Sequence, residues 1–373
     1  MAGKIWVSLL LWLGLGASAQ SIPDKAFVWS AINKANAYWQ LNNKPELWAF
    51  WDVAAYHTGN MEAFAVTGDQ SYLAYSEQWA SYNKWMGARS KNKQEWKYKY
   101  GEKQDYVLFG DWQICFQTYI DLYNIKPEAY KIERAKEVME YQMSTPGSDY
   151  WWWADGLYMV MPVMTKMYKL TGNKLYLDKL HEYFSYANSI MYDQKTGLYY
   201  RDAKYVYPKH KSINGKKDFW ARGDGWVFAG LAKVLMDLPA DDPHRDVYLS
   251  KFKGLAKSIV KSQQSEGYWT RSMLDKDHAP GPETSGTAFF TYGLFWGINN
   301  GILKEKDYLP AALKGWKYLS EVALQSDGRI GYVQPIGEKA IPGQVVDEKS
   351  TAGFGVGAFL LAACELYRFL NYK

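Results

Sequence analysis

One carboxylate, Asp155, follows the three tryptophans Trp151, Trp152 and Trp153 and opens the apolar, methionine-rich run that ends at Met164. Charging a carboxyl group in such surroundings costs solvation energy and favours the protonated form. A carboxylic acid that keeps a proton near neutral pH beside a wall of indoles is suited to general acid catalysis on a sugar. An aspartate here would equally serve to cap the helix that follows. The choice depends on what else the fold brings to the same place.

Six segments are apolar on every side and rich in small residues: roughly 50–66, 111–123, 155–170, 224–237, 285–300 and 351–370. Helices of this kind are buried, and small residues let them pack closely. Between them lie amphipathic, charged segments such as 129–142, 174–190 and 244–263. A degenerate repeat marks the turns. Thr67-Gly-Asp69 precedes Tyr72, Thr171-Gly-Asn173 precedes Tyr176, and weaker echoes precede Tyr130, Tyr248 and Tyr308. In each, Gly or Pro stops one helix and a polar residue starts the next. Six buried helices alternating with six surface helices predict an all-α (α/α)₆ toroid in a single domain, with strand signals few and short, for example at Gly197–Tyr200 and Arg329–Val333. Inner helices of such a toroid run parallel, so their N-termini share one face. There the sequence puts Trp51 and Asp52, Asp111, Asp155, Arg222 and Asp224, Glu283 and Ser285, and Ser350 and Thr351. Helix N-termini favour anions, so the funnel suits an acidic ligand.

The first residues read as a secretory signal: Lys4, an apolar stretch from Ile5 to Gly16, and Ala17-Ser-Ala19 as the cleavage site, leaving a mature domain of 20–373. The apolar stretch is too short to span a bilayer and no later segment reads as a span. The chain is therefore expected to be exported, to the periplasm or beyond, and monomeric. Cys115 and Cys364 fall in apolar helical patterns and read as buried free thiols. The histidines, His57, His181, His210, His244 and His278, are scattered without ligand spacing, so no metal or cofactor is expected. A net charge of +5 on an exported chain gives no basis for nucleic-acid binding. Aromatic residues make up 17%, with 18 Trp and 31 Tyr, a composition that leans towards carbohydrate.

Ala154-Asp155-Gly-Leu-Tyr-Met159, Trp220-Ala-Arg222-Gly-Asp224-Gly-Trp226 and Glu283-Thr-Ser285-Gly-Thr-Ala288, in that order, resemble the unsaturated uronyl hydrolases of glycoside hydrolase family 105, with family 88 a more distant match. The resemblance covers nearly the whole mature chain and implies the same toroid. It implies removal of a Δ4,5-unsaturated uronic acid from the non-reducing end of lyase-generated oligosaccharides, by hydration of a vinyl ether. It gives the acid/base role to Asp155, and to Asp111 the positioning of water or a like-charge push on the pKa of Asp155. Arg222 would pair with the substrate carboxylate through its forked donors. Trp220 and Trp226 would line the sugar site, with Asp224, Trp51 and Ser285 beside them.

Two departures separate the chain from pectin-acting members. The segment Ser144-Thr-Pro-Gly-Ser-Asp-Tyr150 stands where they carry a His-Lys pair, and Arg201 stands where they carry a histidine. Both bear on the neighbouring sugar and disfavour a rhamnogalacturonan substrate. The basic stretch from Arg201 to Lys217 reads as a solvated loop. Any part facing the funnel would suit a sulfated rhamnose, as in ulvan fragments. Two other readings use the same residues: an inverting glycosidase with Asp111 as base and Asp155 as acid, and a non-catalytic oligosaccharide binder.

Overall fold

The computed structural model describes residues 22–371, so the expected cleavage site after Ala19 lies outside the described residues. The inner helices are α2 (Trp51–Thr67), α4 and α5 (Gly110–Gln113, Cys115–Ile125), α7 and α8 (Ala154–Met159, Met161–Thr171), α10 (Ala221–Asp237), α12 (Thr284–Asn299) and α14 (Gly353–Asn371). Each packs on the next, and α14 closes the ring against α2. The outer helices are α1 (Lys25–Asn42), α3 (Gln70–Tyr82), α6 (Tyr130–Ser144), α9 (Leu175–Met191), α11 (Arg245–Ser262) and α13 (Glu305–Tyr318), each against an inner one. This is the expected (α/α)₆ toroid. A two-residue hairpin, β1 (Tyr192–Asp193) with β2 (Leu198–Tyr199), realises the first strand signal. The second is reduced to an isolated bridge between Leu324 and Ile330.

The turn signals work as their chemistry requires. Gly68 and Gly172 cap α2 and α8 at φ 71° and 69°, a left-handed conformation that glycine adopts without strain. Asp69 then caps α3, accepting the N–H of Ser71 at 2.9 Å. Tyr72, Tyr176 and Tyr248 are buried behind these turns, whereas Tyr130 is exposed. The ring closes on small residues: a methyl at Gly59 would lie 2.2 Å from the Gly357 carbonyl oxygen, and one at Gly357 2.3 Å from that of Ala55. Among the described residues α14 is long and apolar enough to cross a membrane, contrary to the expectation from sequence. Its apolar side chains are buried in the ring. Cys115 and Cys364 are buried free thiols, as expected.

Candidate active site

Asp155 is held by an interrupted helix. Pro162 has no N–H, so the Tyr158 carbonyl four residues earlier loses its helical donor. The buried amide of Gln117 on α5 donates to the carbonyls of Tyr158 and Met159 instead, at 2.8 and 3.0 Å. The short helix α7 thus ends against α5, and its first turn faces outward. At its start the N–H of Ala154 donates to the Arg201 carbonyl at 2.8 Å, which ties α7 to the segment after β2.

That first turn borders a cavity of about 540 Å³. Trp48, Phe50, Trp51, Tyr100, Trp152 and Trp153 form its aromatic walls. Asp52, Asp111 and Asp155, the second residues of α2, α4 and α7, bring three carboxyl groups to it. Glu102, Glu338, Arg201 and Lys204 complete its charged lining. One oxygen of each of the three aspartates, and Trp152 Nε1, are buried without a hydrogen-bond partner. Orphaned polar atoms around a cavity are the mark of a site that a polar ligand or water completes. Arg201 Nε lies 3.5 Å from Asp155 Oδ2, while its NH1 donates to Asp202 at 2.7 Å. The guanidinium also lies over the Trp152 ring, 5.7 Å from its centroid.

Burial raises the pKa of all three aspartates, and neighbouring charges then separate them. Asp155 is raised by desolvation, against the pull of Arg201 and then Arg222. Asp111 is pushed well above the ordinary carboxylate value, first by desolvation and then by the charge of Asp155. Arg201 opposes the rise at both Asp155 and Asp111. Asp52 is raised by burial, with backbone N–H groups opposing.

Of the residues singled out from sequence, Asp155, Asp111, Asp52, Trp51 and Arg201 meet at the cavity. The others do not line it. Arg222 is fully buried, donating to the carbonyls of Gln334 at 2.6 Å and Pro335 at 2.8 Å, between the rings of Trp220 and Phe354. Burial lowers its pKa to about 10. Trp220 Nε1 donates to Gln334 Oε1 at 2.8 Å. Trp226 packs against Tyr158 and Phe289 in the core. Asp224 accepts the Tyr199 N–H at 2.8 Å, pinning β2 to α10. Ser285 donates to Glu283, whose carboxylate caps α12 through the N–H groups of Ser285 and Gly286. Ser350 bonds Asp347 in the loop before α14.

The cause of these displacements is the segment from Leu324 to Ser350. It folds over the starts of α10 and α12, with the N–H of Gln334 on Glu283 and its carbonyl on Arg222. Three of the six helix starts, not all six, therefore open on the cavity. The basic stretch divides too: Arg201 and Lys204 reach the cavity, Lys216 and Lys217 pair with Asp275 and Asp193, and Lys209 and Lys211 are exposed. Sequence reasoning missed Trp48, Phe50, Tyr100, Glu102, Lys204 as a separate site residue, and Glu338. Only the charge of the basic stretch signalled any of them. The histidines are less scattered than they read: His181 stacks on His244 with centroids 3.5 Å apart, and His210 and His278 both face Asp218. Among the described residues no three His, Cys, Asp or Glu side chains are grouped to hold a metal ion.

The model of Glycosyl Hydrolase Family 88 matches residues 25–370. A protein of Formosa agariphila named unsaturated 3S-rhamnoglycuronyl hydrolase is 33% identical over 335 residues, covering 85% of this chain and 84% of its own. Among solved structures, a glycosyl hydrolase family 88 protein from Bacteroides vulgatus is 61% identical, with TM-score 0.92 over 93% of this chain and 100% of its own. Another, named a polysaccharide lyase, is 68% identical, with TM-score 0.91 over 94% and 99%.

Proposed function

The chain belongs to Glycosyl Hydrolase Family 88 and is a glycosidase, and on that premise we propose that it removes a Δ4,5-unsaturated uronic acid from the non-reducing end of oligosaccharides by hydrating the vinyl ether. The observation that carries this reading is the Asp155 carboxyl, buried at an aromatic cavity with one oxygen free and Arg201 beside it. Asp155 protonates C4, and positive charge develops at C5 and the ring oxygen. Water adds to C5 and gives its proton to the Asp155 carboxylate. The bond between C5 and the ring oxygen then breaks, and the hemiacetal left at C1 releases the neighbouring sugar as an alcohol.

Arg201 is the residue we assign to the substrate carboxylate, because it lines the cavity with its Nε against the acid, whereas Arg222 does not line it and has both terminal nitrogens taken up by backbone carbonyls. Asp111 orients the attacking water. The finer reading makes the neighbouring sugar a 3-sulfated rhamnose, as in ulvan fragments. Lys204 at the cavity lip and the name of the Formosa relative support it. Export, read from residues 1–19, fits an enzyme that receives the products of a polysaccharide lyase.

The 68% identical structure carries the name of a polysaccharide lyase, an activity that would create the C4–C5 double bond rather than consume it. One assay separates the possibilities. Purified protein is followed by ultraviolet absorbance, on unsaturated disaccharides and on intact uronate polysaccharides. Hydration removes the double-bond absorbance of the disaccharides. Ordinary hydrolysis leaves it unchanged, and a lyase generates it from the polymer.

A further inference from the structure

The loop from Gln334 to Ala340 carries a carboxylate that the proposed reaction does not use. The base of the loop is tied. Gln334 is buried, bonded to Glu283 and Arg222 through its backbone, and its side-chain amide donates to the Lys339 carbonyl at 2.9 Å and to Gln344 Oε1 at 3.0 Å. The tip is loosely held. Ile336 is 62% exposed, and a methyl at Gly337 would meet nothing nearer than the Pro335 carbonyl at 3.7 Å.

At this tip Glu338 Oε2 lies 3.1 Å from Lys204 Nζ and 3.5 Å from Arg201 NH1. Arg201 and Lys204 are the cations among the residues lining the cavity. One protein carboxylate thus sits on both, although its side chain is 44% exposed. Release to water costs such a group little desolvation, so an incoming anion exchanges one ion pair for another of similar strength.

We propose that Glu338 is a specificity-determining residue, its carboxylate holding in the empty site the place taken by a sulfate ester on the sugar next to the unsaturated uronate. The inference rests on the hydrolase reading above. A neutral neighbouring sugar leaves Glu338 on Lys204. A sulfated one displaces it, and the loop tip moves while the base bound by Gln334 stays fixed. The competition of Glu338 sets how strongly sulfation is preferred.

The test uses the full-length protein, with sodium sulfate as the probe, titrated calorimetrically into native and Glu338→Gln forms. Removing the competing charge should tighten sulfate binding about two- to five-fold, the scale of part-exposed ion pairs. The gain should vanish when Lys204→Met is added. In kinetics, kcat/KM for a sulfated over an unsulfated unsaturated disaccharide should rise by the same factor in Glu338→Gln. Equal or weaker sulfate binding by Glu338→Gln, or none by either protein, overturns the proposal. Sulfate titration needs no turnover, so the two readings fail separately. Tightened sulfate binding in a protein that leaves every double bond intact defeats the hydrolase reading. Hydrolysis indifferent to Glu338→Gln defeats this one.

Discussion

Arg201 Nε and Asp155 Oδ2 face each other at 3.5 Å, both buried, and neither makes a hydrogen bond. The guanidinium opposes what burial does to the acid: desolvation favours a protonated Asp155, and Arg201 is the largest influence against it. A substrate carboxylate that takes over the free Nε adds a negative charge beside Asp155 and offsets that influence. The proton then moves towards Asp155 as the ligand arrives, which is when C4 needs it.

Asp155→Asn should abolish turnover while preserving fold and ligand affinity, because an amide keeps the shape but cannot donate the proton. General acid–base groups contribute about 10²- to 10⁴-fold in rate, and here one group serves both steps. Initial rates of double-bond loss check this. More than about a tenth of native activity in the variant would be too much for a residue in that role.

The two arginines should part company when acid and methyl-ester substrates are compared. Arg201→Lys keeps the charge and loses the planar donor edge, so it should impair the acid far more than the ester. Arg222→Ala should hurt both alike and lower stability by about 3 kcal/mol or more, since it leaves the Gln334 and Pro335 carbonyls and buried Glu283 without their cation. Denaturant midpoints and kcat/KM on the two substrates test the contrast. An Arg222 variant with an acid-specific deficit would return carboxylate recognition to α10.

Asp111 carries a pH signature in stability. Its folded pKa is well above 3.8, so the folded state binds this proton more tightly than the unfolded chain does. Stability from this group is full below the unfolded value and is lost as pH rises through the window towards the folded one. The penalty grows as the pH rises above the unfolded value. Asp111→Asn removes it and should raise Tm by roughly 1–3 °C at pH 7, with the gain closing as the pH is lowered below about 4. Activity should fall in the same variant. A lower Tm at pH 7 would show that the Asp111 charge is compensated in the folded protein.

The ring was legible in the sequence because each inner helix announces itself by being apolar on every side. The repeat worked because Gly68 and Gly172 have no side chain to resist a left-handed turn. Residues next to a helix start in sequence, Trp51, Asp52, Asp111 and Asp155, line the cavity for that reason. What could not be read was which helix starts stay open. That depends on the Leu324–Ser350 segment, which carries only the short strand signal at Arg329–Val333 and makes contacts over long separations, as Gln334 does to Trp220. A Trp-Ala-Arg-Gly-Asp-Gly-Trp string looks the same whether it lines a cavity or, as here, holds a covering loop through Arg222 and Trp220.

The closure of the ring gives a last prediction in which two Gly→Ala changes act in opposite directions. At Gly59 the added methyl would lie 2.2 Å from a backbone oxygen of α14, which no side-chain rotation can relieve, so α2 and α14 must separate. Overpacking of this kind costs about 1–3 kcal/mol. At Gly254, within α11, the methyl would find the Tyr192 hydroxyl at 3.7 Å, ordinary contact, and only the helix propensity of alanine remains, a gain of up to about 1 kcal/mol. Gly59→Ala should also weaken substrate binding, because Trp51 on the cavity wall stacks on Phe354 of α14, centroids 5.1 Å apart, and the stack opens as the helices part. Chemical denaturation with KM measurements on both variants checks this. Equal destabilisation by the two changes would mean that helical propensity, not the contact between α2 and α14, decides the outcome.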